Sequence, residues 1–402
     1  MSNETFPPND TAAAQPASAP GSRPPRTRVA LVFGGRSSEH GVSVVTAASV
    51  LAAIDRTRYE VVPIGINASG RWTLVADEPA RMAITDGRMP DVDGVAEPGD
   101  GTVVLMGESA ADGGRRHEIV RAEPGALPKA LGEVDVVFPL LHGPYGEDGT
   151  IQGLLEMAGV PYVGCGVLAS AVGMDKEYMK HVFTACGLPV GPYTVIRPRE
   201  WERDREAVRR RVAELGWPVF VKPARAGSSM GISKVNGPEE LDAAVEEARG
   251  HDPKVIVEAM LRGREIECGV LEFEDGPRAS LPAEIEVLDG AGHEFYDFEA
   301  KYLQADEATR ARIPAELDAE QTARIRDIAV RAFEALSCEG LARVDCFLLE
   351  DGRFVVNEIN TMPGFTPTSM YPLMWRATGV EYPELIDRLI QAALRRGDGL
   401  LR

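Results

Sequence analysis

RVALVFGG, residues 28–35, is a continuous apolar run ending in two glycines, followed by RSSEH (36–40) and an apolar-periodic segment from Val42 to Ile54. A buried strand, a loop and a helix in that order form the unit of a doubly wound α/β sheet, whose functional edge lies at the carboxyl ends of its strands. A second unit begins at Val134: VDVVFPLL (134–141) reads as strand, HGPYGEDG (142–149) as loop and TIQGLLEMAG (150–159) as helix, with Gly159 as its C-cap. Between the units, residues from about Asn67 to Lys129 are rich in Gly, Pro and Asp and predict an irregular or antiparallel insertion.

After PYVGCG (161–166) the character changes. A helical segment with Met174, Asp175, Lys176 and Lys180 leads through Gly187-Leu188-Pro189 into the β-like YTVI (193–196), then into an Arg- and Glu-rich helix from Arg199 to Leu215. VFVKPARAGSSMGISKV (219–235) reads as two short strands flanking a Gly-Ser loop, and KVIVEAML (254–261) as a strand behind an acidic helix. From about Gly263 the chain is strand-rich, then helical from Glu316 to Leu336, then carries a hairpin, and closes with a helix around Tyr382 to Arg395. These shifts divide it into a tail (1–26) and three domains (27–164, 165–262 and 263–402), as expected of 402 residues.

Sixty-two acidic residues against 43 basic ones leave a formal charge of −19, which repels polyphosphate backbones and argues against general nucleic-acid binding. Five cysteines, Cys165, Cys186, Cys268, Cys338 and Cys346, are scattered singly, the usage of a reducing cytosol. Residues 1–26 are rich in Pro, Ala, Ser and Thr without an apolar core, so a disordered tail is expected rather than a signal peptide or membrane anchor.

The most informative local geometry is LARVDCFLLEDGRFVVNEIN, 341–360. Asp351-Gly352 favours a two-residue type I′ turn, which sets Glu350 opposite Arg353, Asp345 opposite Glu358 and Arg343 opposite Asn360. Period-two alternation then gives these last four polar side chains one face. Facing carboxylates among apolar neighbours cost several kcal/mol per ion unless a cation lies between them. Oxygen ligands from Asp, Glu and Asn suit Mg²⁺ bridging to substrate phosphates. The alternative is that Arg343 merely neutralises one acid in a buried ion pair.

Lys222 ends the strand VFVK, and ARAGSSMG behind it lets backbone N–H groups and the hydroxyls of Ser228 and Ser229 approach phosphate. The run is neither a Walker A loop nor a dinucleotide turn; it follows the logic of a kinase glycine loop, with a plain β-turn as the alternative. Lys176 is a candidate to add positive charge, with a solvated helical lysine as the alternative; Glu258 ends a strand whose backbone could read an adenine edge, and Glu265 could reach a ribose.

Standing in chain order, GGRSSEHGVS, LHGPYGEDGTIQG, MDKEYMK, VKPARAGSSMGISKV, FYDFEAKY, ARVD and NEINTMPGFTPTSM together resemble the D-alanine–D-alanine ligases of the ATP-grasp superfamily, over Arg28 to about Ala393. The resemblance implies an α/β (α+β) fold of ATP-grasp architecture, with an N-terminal doubly wound parallel-sheet domain and two α+β domains clasping ATP. It implies that Glu39 holds the amino group of the first D-alanine near His142, and that Ser228 and Tyr302 bridge to Glu39 to close the site. Lys176, Lys222 and Lys301 match the phosphate-binding lysines, and Glu258, Leu261 and Glu265 the adenosine contacts. Asp345, Glu358 and Asn360 match ligands of two Mg²⁺ (or Mn²⁺) ions. Arg343 and the amide of Gly364 match the oxyanion stabilisers, and Ser369 and Met370 hold the second carboxylate. The reaction implied is attack of one D-alanine on the γ-phosphate of ATP, then capture of the acyl phosphate by the second amine under the lid GHEFYDFEAKY (292–302).

A cytoplasmic homodimer supplying peptidoglycan precursors is implied likewise, while composition and charge set the expectation of neither membrane nor nucleic-acid binding; activation by a monovalent cation is left open. Two departures stand out: Gly41, where relatives often carry Glu or Ala, and Ala259, where they often carry Lys. The rivals are a sister ligase using D-lactate or D-serine, another carboxylate–amine ligase, and a nucleotide-binding module without catalysis. The last need not retain Asp345, Glu358, Arg343 and Lys301 together.

Overall fold

The computed structural model describes residues 26–85, 87–96, 102–109, 115–122, 129–227, 230–287 and 309–396. The first sheet contains β1 (Thr27–Gly34), β2 (Tyr59–Ile66) and β3 (Trp72–Leu74). The insertion then adds the antiparallel trio β4 (Thr102–Ser109), β5 (Arg115–Ala122) and β6 (Lys129–Glu133) before β7 (Val136–Pro139) returns beside β1. The order is β3-β2-β1-β7, with β2 and β7 both parallel to β1.

An unbroken apolar run suits β1 because both of its faces are covered. Val29, Leu31 and Phe33 pack on Val44, Ala47, Val50 and Leu51 of the helix His40–Ala53, together with Leu385, Leu389 and Ile390 of the final helix Tyr382–Arg396. Ala30 and Val32 pack on Ile151 and Leu155 of the helix Thr150–Ala158. The end of the chain thus completes the core of its beginning, and the Tyr59 hydroxyl bonds Asp387 at 2.5 Å.

The second sheet, in the order β10-β9-β11-β8, is antiparallel: β8 (Tyr193–Ile196), β9 (Val219–Pro223), β10 (Ser233–Val235) and β11 (Val255–Ala259). Val219, Val221, Val255 and Val257 turn to a core with Trp201, Val208, Leu241 and Val245. Alternation therefore sends Phe220, Lys222 and Glu258 to the opposite face, where all three line a cavity. The helix expected from Arg199 to Leu215 is two helices, Pro198–Arg203 and Arg205–Ala213, because Asp204 leaves helical geometry and caps the second through the Ala207 N–H. Asp175 similarly separates the helix Val167–Met174 from Lys176–Ala185.

The third sheet runs β15-β14-β12-β16-β17, with β13 beside β12: β12 (Gly263–Phe273), β13 (Gly276–Ala279), β14 (Ala283–Val287), β15 (Thr309–Arg312), β16 (Leu341–Leu349) and β17 (Phe354–Asn360). Ile266, Cys268, Val344, Cys346, Phe354 and Val356 face a core with Ile325, Ala329 and Phe333 of the helix Ala319–Ala335. The helix Met370–Thr378, absent from the sequence reading, follows β17. No helix among the described residues is long and apolar enough to cross a membrane.

Candidate active site

The hairpin turn differs from expectation. Leu349 N–H donates to Arg353 C=O (2.9 Å) and Gly352 N–H to Leu349 C=O (2.9 Å), so Glu350, Asp351 and Gly352 form a three-residue loop with Gly352 at φ +80. That loop pairs Leu348 with Phe354 and Cys346 with Val356, one step away from the predicted register. A bulge between Asp345 and Cys346 leaves Asn357 unmatched and takes the step back, so Asp345 faces Glu358 and Arg343 faces Asn360 as predicted. The bulge also switches face: Phe354 and Val356 enter the core, and Ile359 takes the next core place, which frees Glu358 and Asn360 for the cavity.

Both acids of the hairpin have protein cations. Arg343 meets Asp345 through two bonds, Nε to Oδ1 and Nη2 to Oδ2, each 2.7 Å, while Lys176 Nζ lies 3.4 Å from Glu358. Asn360 Nδ2 donates to Asp345 Oδ2 at 2.9 Å. A third carboxylate stands in the same row: Glu267 on β12 is paired with Asp345 across the ladder and lies 3.4 Å from Arg343 Nε. The ion-pair alternative therefore describes part of this geometry, and the charges alone do not require a metal. The donor set still suits a hard cation, because Asp345, Glu358 and Asn360 offer oxygen atoms to one wall of the cavity.

On β9 and β11 a second charged group is assembled. Lys222 Nζ donates to Glu258 Oε2 at 2.6 Å, and the buried Lys180 lies 3.1 Å from Glu258 Oε1. Burial would raise the Glu258 carboxyl, but the two ammonium groups outweigh it and hold the group well below the usual carboxylate range. Burial also opposes the charge of Lys222, and Glu258 overrides it, so its ammonium is held above the usual lysine range. Two cations around one anion leave this trio positive. Lys176 Nζ donates to the Ala226 carbonyl at 3.2 Å, tying the lysine to the Gly-Ser loop.

At the other end, Glu39 is the residue before the helix His40–Ala53 and makes no side-chain capping bond. Its carboxylate sits between two glycines: a Cβ on Gly143 would come 2.5 Å from Glu39 Oε2, and one on Gly227 2.9 Å. Ser37 Oγ donates to the His142 carbonyl at 2.7 Å, fastening this loop to the next. His142 Nδ1 lies 3.1 Å from the Met362 carbonyl, an acceptor only, so Nδ1 carries the proton. Burial, opposed by the charge of Glu39, lowers the ring below its usual range and keeps it neutral.

Glu147 completes the clamp. Its two oxygens accept the N–H groups of Gly143 (2.7 Å) and Met362 (3.0 Å). Burial first, and the nearby Glu39 second, push its carboxyl up to about 8 despite those bonds.

Every described candidate lines one cavity of about 1050 Å³: Glu39, His142, Lys176, Lys222, Glu258, Leu261, Glu265, Arg343, Asp345, Glu358, Asn360, Gly364, Ser369 and Met370. Ser369 precedes the helix Met370–Thr378, whose N-terminal N–H groups suit an anion. Ser228, Ser229, Lys301, Tyr302 and the segment 292–302 lie outside the described residues.

Three charged residues of the cavity went unassigned in the sequence. Lys180 is one helical turn beyond Lys176, Glu267 two places along the strand from Glu265, and Glu147 inside the loop that opens with His142; all three line the same cavity. The periodicities of helix and strand carried the first two signals.

Residues 28–165 match the family described as D-ala D-ala ligase N-terminus, and residues 182–391 the one described as D-ala D-ala ligase C-terminus. The chain is 64% identical over 404 residues to the D-alanine–D-alanine ligase of Streptomyces griseus subsp. griseus, covering 100% of both. Its fold is similar to the D-alanine-D-alanine ligase from Coxiella burnetii, with 34% identity and a TM-score of 0.74 over 92% of this chain and 94% of that one. It is also similar to the VanG D-Ala:D-Ser ligase from Enterococcus faecalis, with 34% identity and a TM-score of 0.76 over 92% and 100% of the two chains.

Proposed function

The chain belongs to the D-alanine–D-alanine ligase family, and on that premise we propose how its own residues divide the work. It is an ATP- and divalent-metal-dependent enzyme that joins two D-alanines. The observation carrying the assignment of roles is the convergence of every described candidate on one cavity.

The adenosine lies against Glu258, Leu261 and Glu265, with the phosphates toward Lys176, Lys222 and Lys301 and under Ser228 and Ser229. The positive balance of the Lys222, Glu258 and Lys180 trio supports that placement. Asp345, Glu358 and Asn360 are the residues that would hold the cations, Mg²⁺ or Mn²⁺, whose charge would neutralise phosphate oxygens. Glu39, whose carboxylate has room only because Gly143 and Gly227 carry no side chain, takes the ammonium of the first D-alanine. His142, neutral and tied to Met362 through Nδ1, lines the site without adding charge. Ser228 and Tyr302 bridge to Glu39 to close the site.

A carboxylate is a poor electrophile; its attack on the γ-phosphate forms a new O–P bond as the bond to the β,γ-bridging oxygen breaks and ADP leaves, giving an acyl phosphate with a good leaving group. The amine of the second D-alanine, its carboxylate held at the helix N-terminus by Ser369 and Met370, attacks the acyl carbon. The C–N bond forms, phosphate leaves, and the amine loses a proton. Arg343 and the Gly364 N–H stabilise the tetrahedral oxyanion; one such donor contributes on the order of 10² to 10³ in rate. We place the enzyme in the cytoplasm as a homodimer, acting in peptidoglycan precursor synthesis.

The test is phosphate release with ATP, Mg²⁺ and D-alanine, using L-alanine as the control and D-serine and D-lactate as competing second substrates. A clear preference for D-alanine at neutral pH is expected; equal or faster use of D-lactate overturns the assignment.

A further inference from the structure

Bulges leave a residue outside the ladder, and a buried carbonyl outside the ladder needs another donor. At the bulge of β17 that donor is Lys180, whose Nζ lies 3.1 Å from the Asn357 carbonyl. Lys180 is 3% exposed, an expensive place for an ammonium unless it is paired. Its second partner is Glu258 Oε1 at 3.1 Å, and the same carboxylate binds Lys222 through Oε2.

The helix Lys176–Ala185 therefore places two lysines, one turn apart, on two consecutive residues of β17: Lys180 on Asn357 and Lys176 on Glu358. Without the bulge, Glu358 would continue the parity of Phe354 and Val356 and point into the apolar core. The position of one metal-binding carboxylate thus depends on a carbonyl held by a side chain of a helix distant from it in the chain. That side chain is itself anchored on the carboxylate assigned to adenosine.

We propose that Lys180 is a positioning residue that holds the β17 bulge and so keeps Glu358 opposite Asp345, linking occupancy of the nucleotide site to the geometry of the metal site. The inference rests on the reading of Asp345 and Glu358 as metal ligands. Lys180 touches neither metal nor substrate in this role; it acts through the strand.

Lys180→Met keeps the length and apolar bulk of the side chain while removing the donor and its charge. The experiment titrates Mn²⁺ into the full-length protein with ADP, following free Mn²⁺ by electron paramagnetic resonance. In parallel, Mg²⁺ activation midpoints are measured at saturating ATP, and folding is followed by circular dichroism. Lys180→Met is expected to bind Mn²⁺ at least about tenfold more weakly and to need correspondingly more Mg²⁺, with lost kcat partly recovered at high Mg²⁺. Lys180→Arg, which retains a cation and donors, is expected to recover part of both. Should Lys180→Met fail to fold, Lys180→Gln, whose amide nitrogen falls short of the carbonyl, is read by the same two measurements with the same expected loss.

Glu358→Gln is the control. If it loses Mn²⁺ while Lys180→Met binds Mn²⁺ within twofold of wild type, or raises only the KM for ATP, the positioning role is overturned and the metal site stands. If Glu358→Gln binds Mn²⁺ like wild type, the metal reading falls and this inference falls with it.

Discussion

Asp345 and Glu358 stand opposite one another on β16 and β17, yet the ladder connecting them to the turn is one residue out of step with that pairing. A three-residue loop moves the register one way and the bulge at Asn357 moves it back. The face on which Glu358 lies is set by both irregularities together, and its chemistry depends on that face.

Replacing Glu358 by Gln separates chemistry from stability. The side chain is 27% exposed and its ion pair with Lys176 is 3.4 Å long, so its loss costs the fold little. Phosphate release should fall by at least about 10²-fold while the thermal midpoint moves by only a few degrees. Near-normal turnover would remove Glu358 from the metal site.

Arg343→Met should behave in the opposite sense for stability. The guanidinium serves Asp345 and Glu267, both buried, and its removal takes a positive partner from each. A loss of roughly 3 to 5 kcal/mol in urea unfolding is expected, beside the loss of activity. Unchanged stability would mean that these acids draw their compensation elsewhere.

The raised carboxyl of Glu147 makes a statement about pH. Its folded value of about 8 lies above the ordinary 4.5, so the native state holds the proton more tightly than the unfolded chain. This contribution, on the order of a few kcal/mol, is fully present below the unfolded value and is lost as pH rises toward and through the folded one. Glu39 and Arg343 are the charged groups facing it. Between pH 5 and pH 9 the thermal midpoint of wild type should fall relative to that of Glu147→Gln, which has no proton to lose; parallel curves would show that Glu147 stays ionised.

Gly41 is explained by the segment packed over it. A Cβ there would lie 2.5 Å from Met89 Cβ and 3.4 Å from the Pro90 carbonyl. Alanine in a helix is ordinarily favoured over glycine by about 1 kcal/mol. Here Gly41→Ala should instead destabilise by about 1 to 3 kcal/mol through overpacking. Met89→Gly should recover much of that, which a double-mutant cycle by chemical denaturation would measure.

Much of this was readable from residue order. The run Val29–Gly35 is apolar at every position up to its glycines, and only a strand covered on both faces takes such a run. Lys222 and Glu258 were legible as the ends of the strands VFVK and VIVE, while the face that each turns to the cavity follows from the observed pairing of those strands. Asp204 and Asp175 went unread as helix breaks because a capping carboxylate and a solvated one look alike in a charged stretch. The helix Met370–Thr378 was hidden by Pro372 and its short length.

Local counting determined that the chain carries facing acids on a hairpin, because strand periodicity and turn chemistry act over a few residues. The predicted pairing survived although the predicted turn did not, since two one-residue displacements cancelled. Whether a bulge forms at Asn357 was decided by the tertiary structure alone: the donor that satisfies its carbonyl is Lys180, 177 positions away in the chain. The same holds for the guanidinium shared by Asp345 and Glu267 and for the backbone groups that grip Glu147. A buried charge or carbonyl is stable only where a partner meets it, and which partner does so is settled when separate segments pack together.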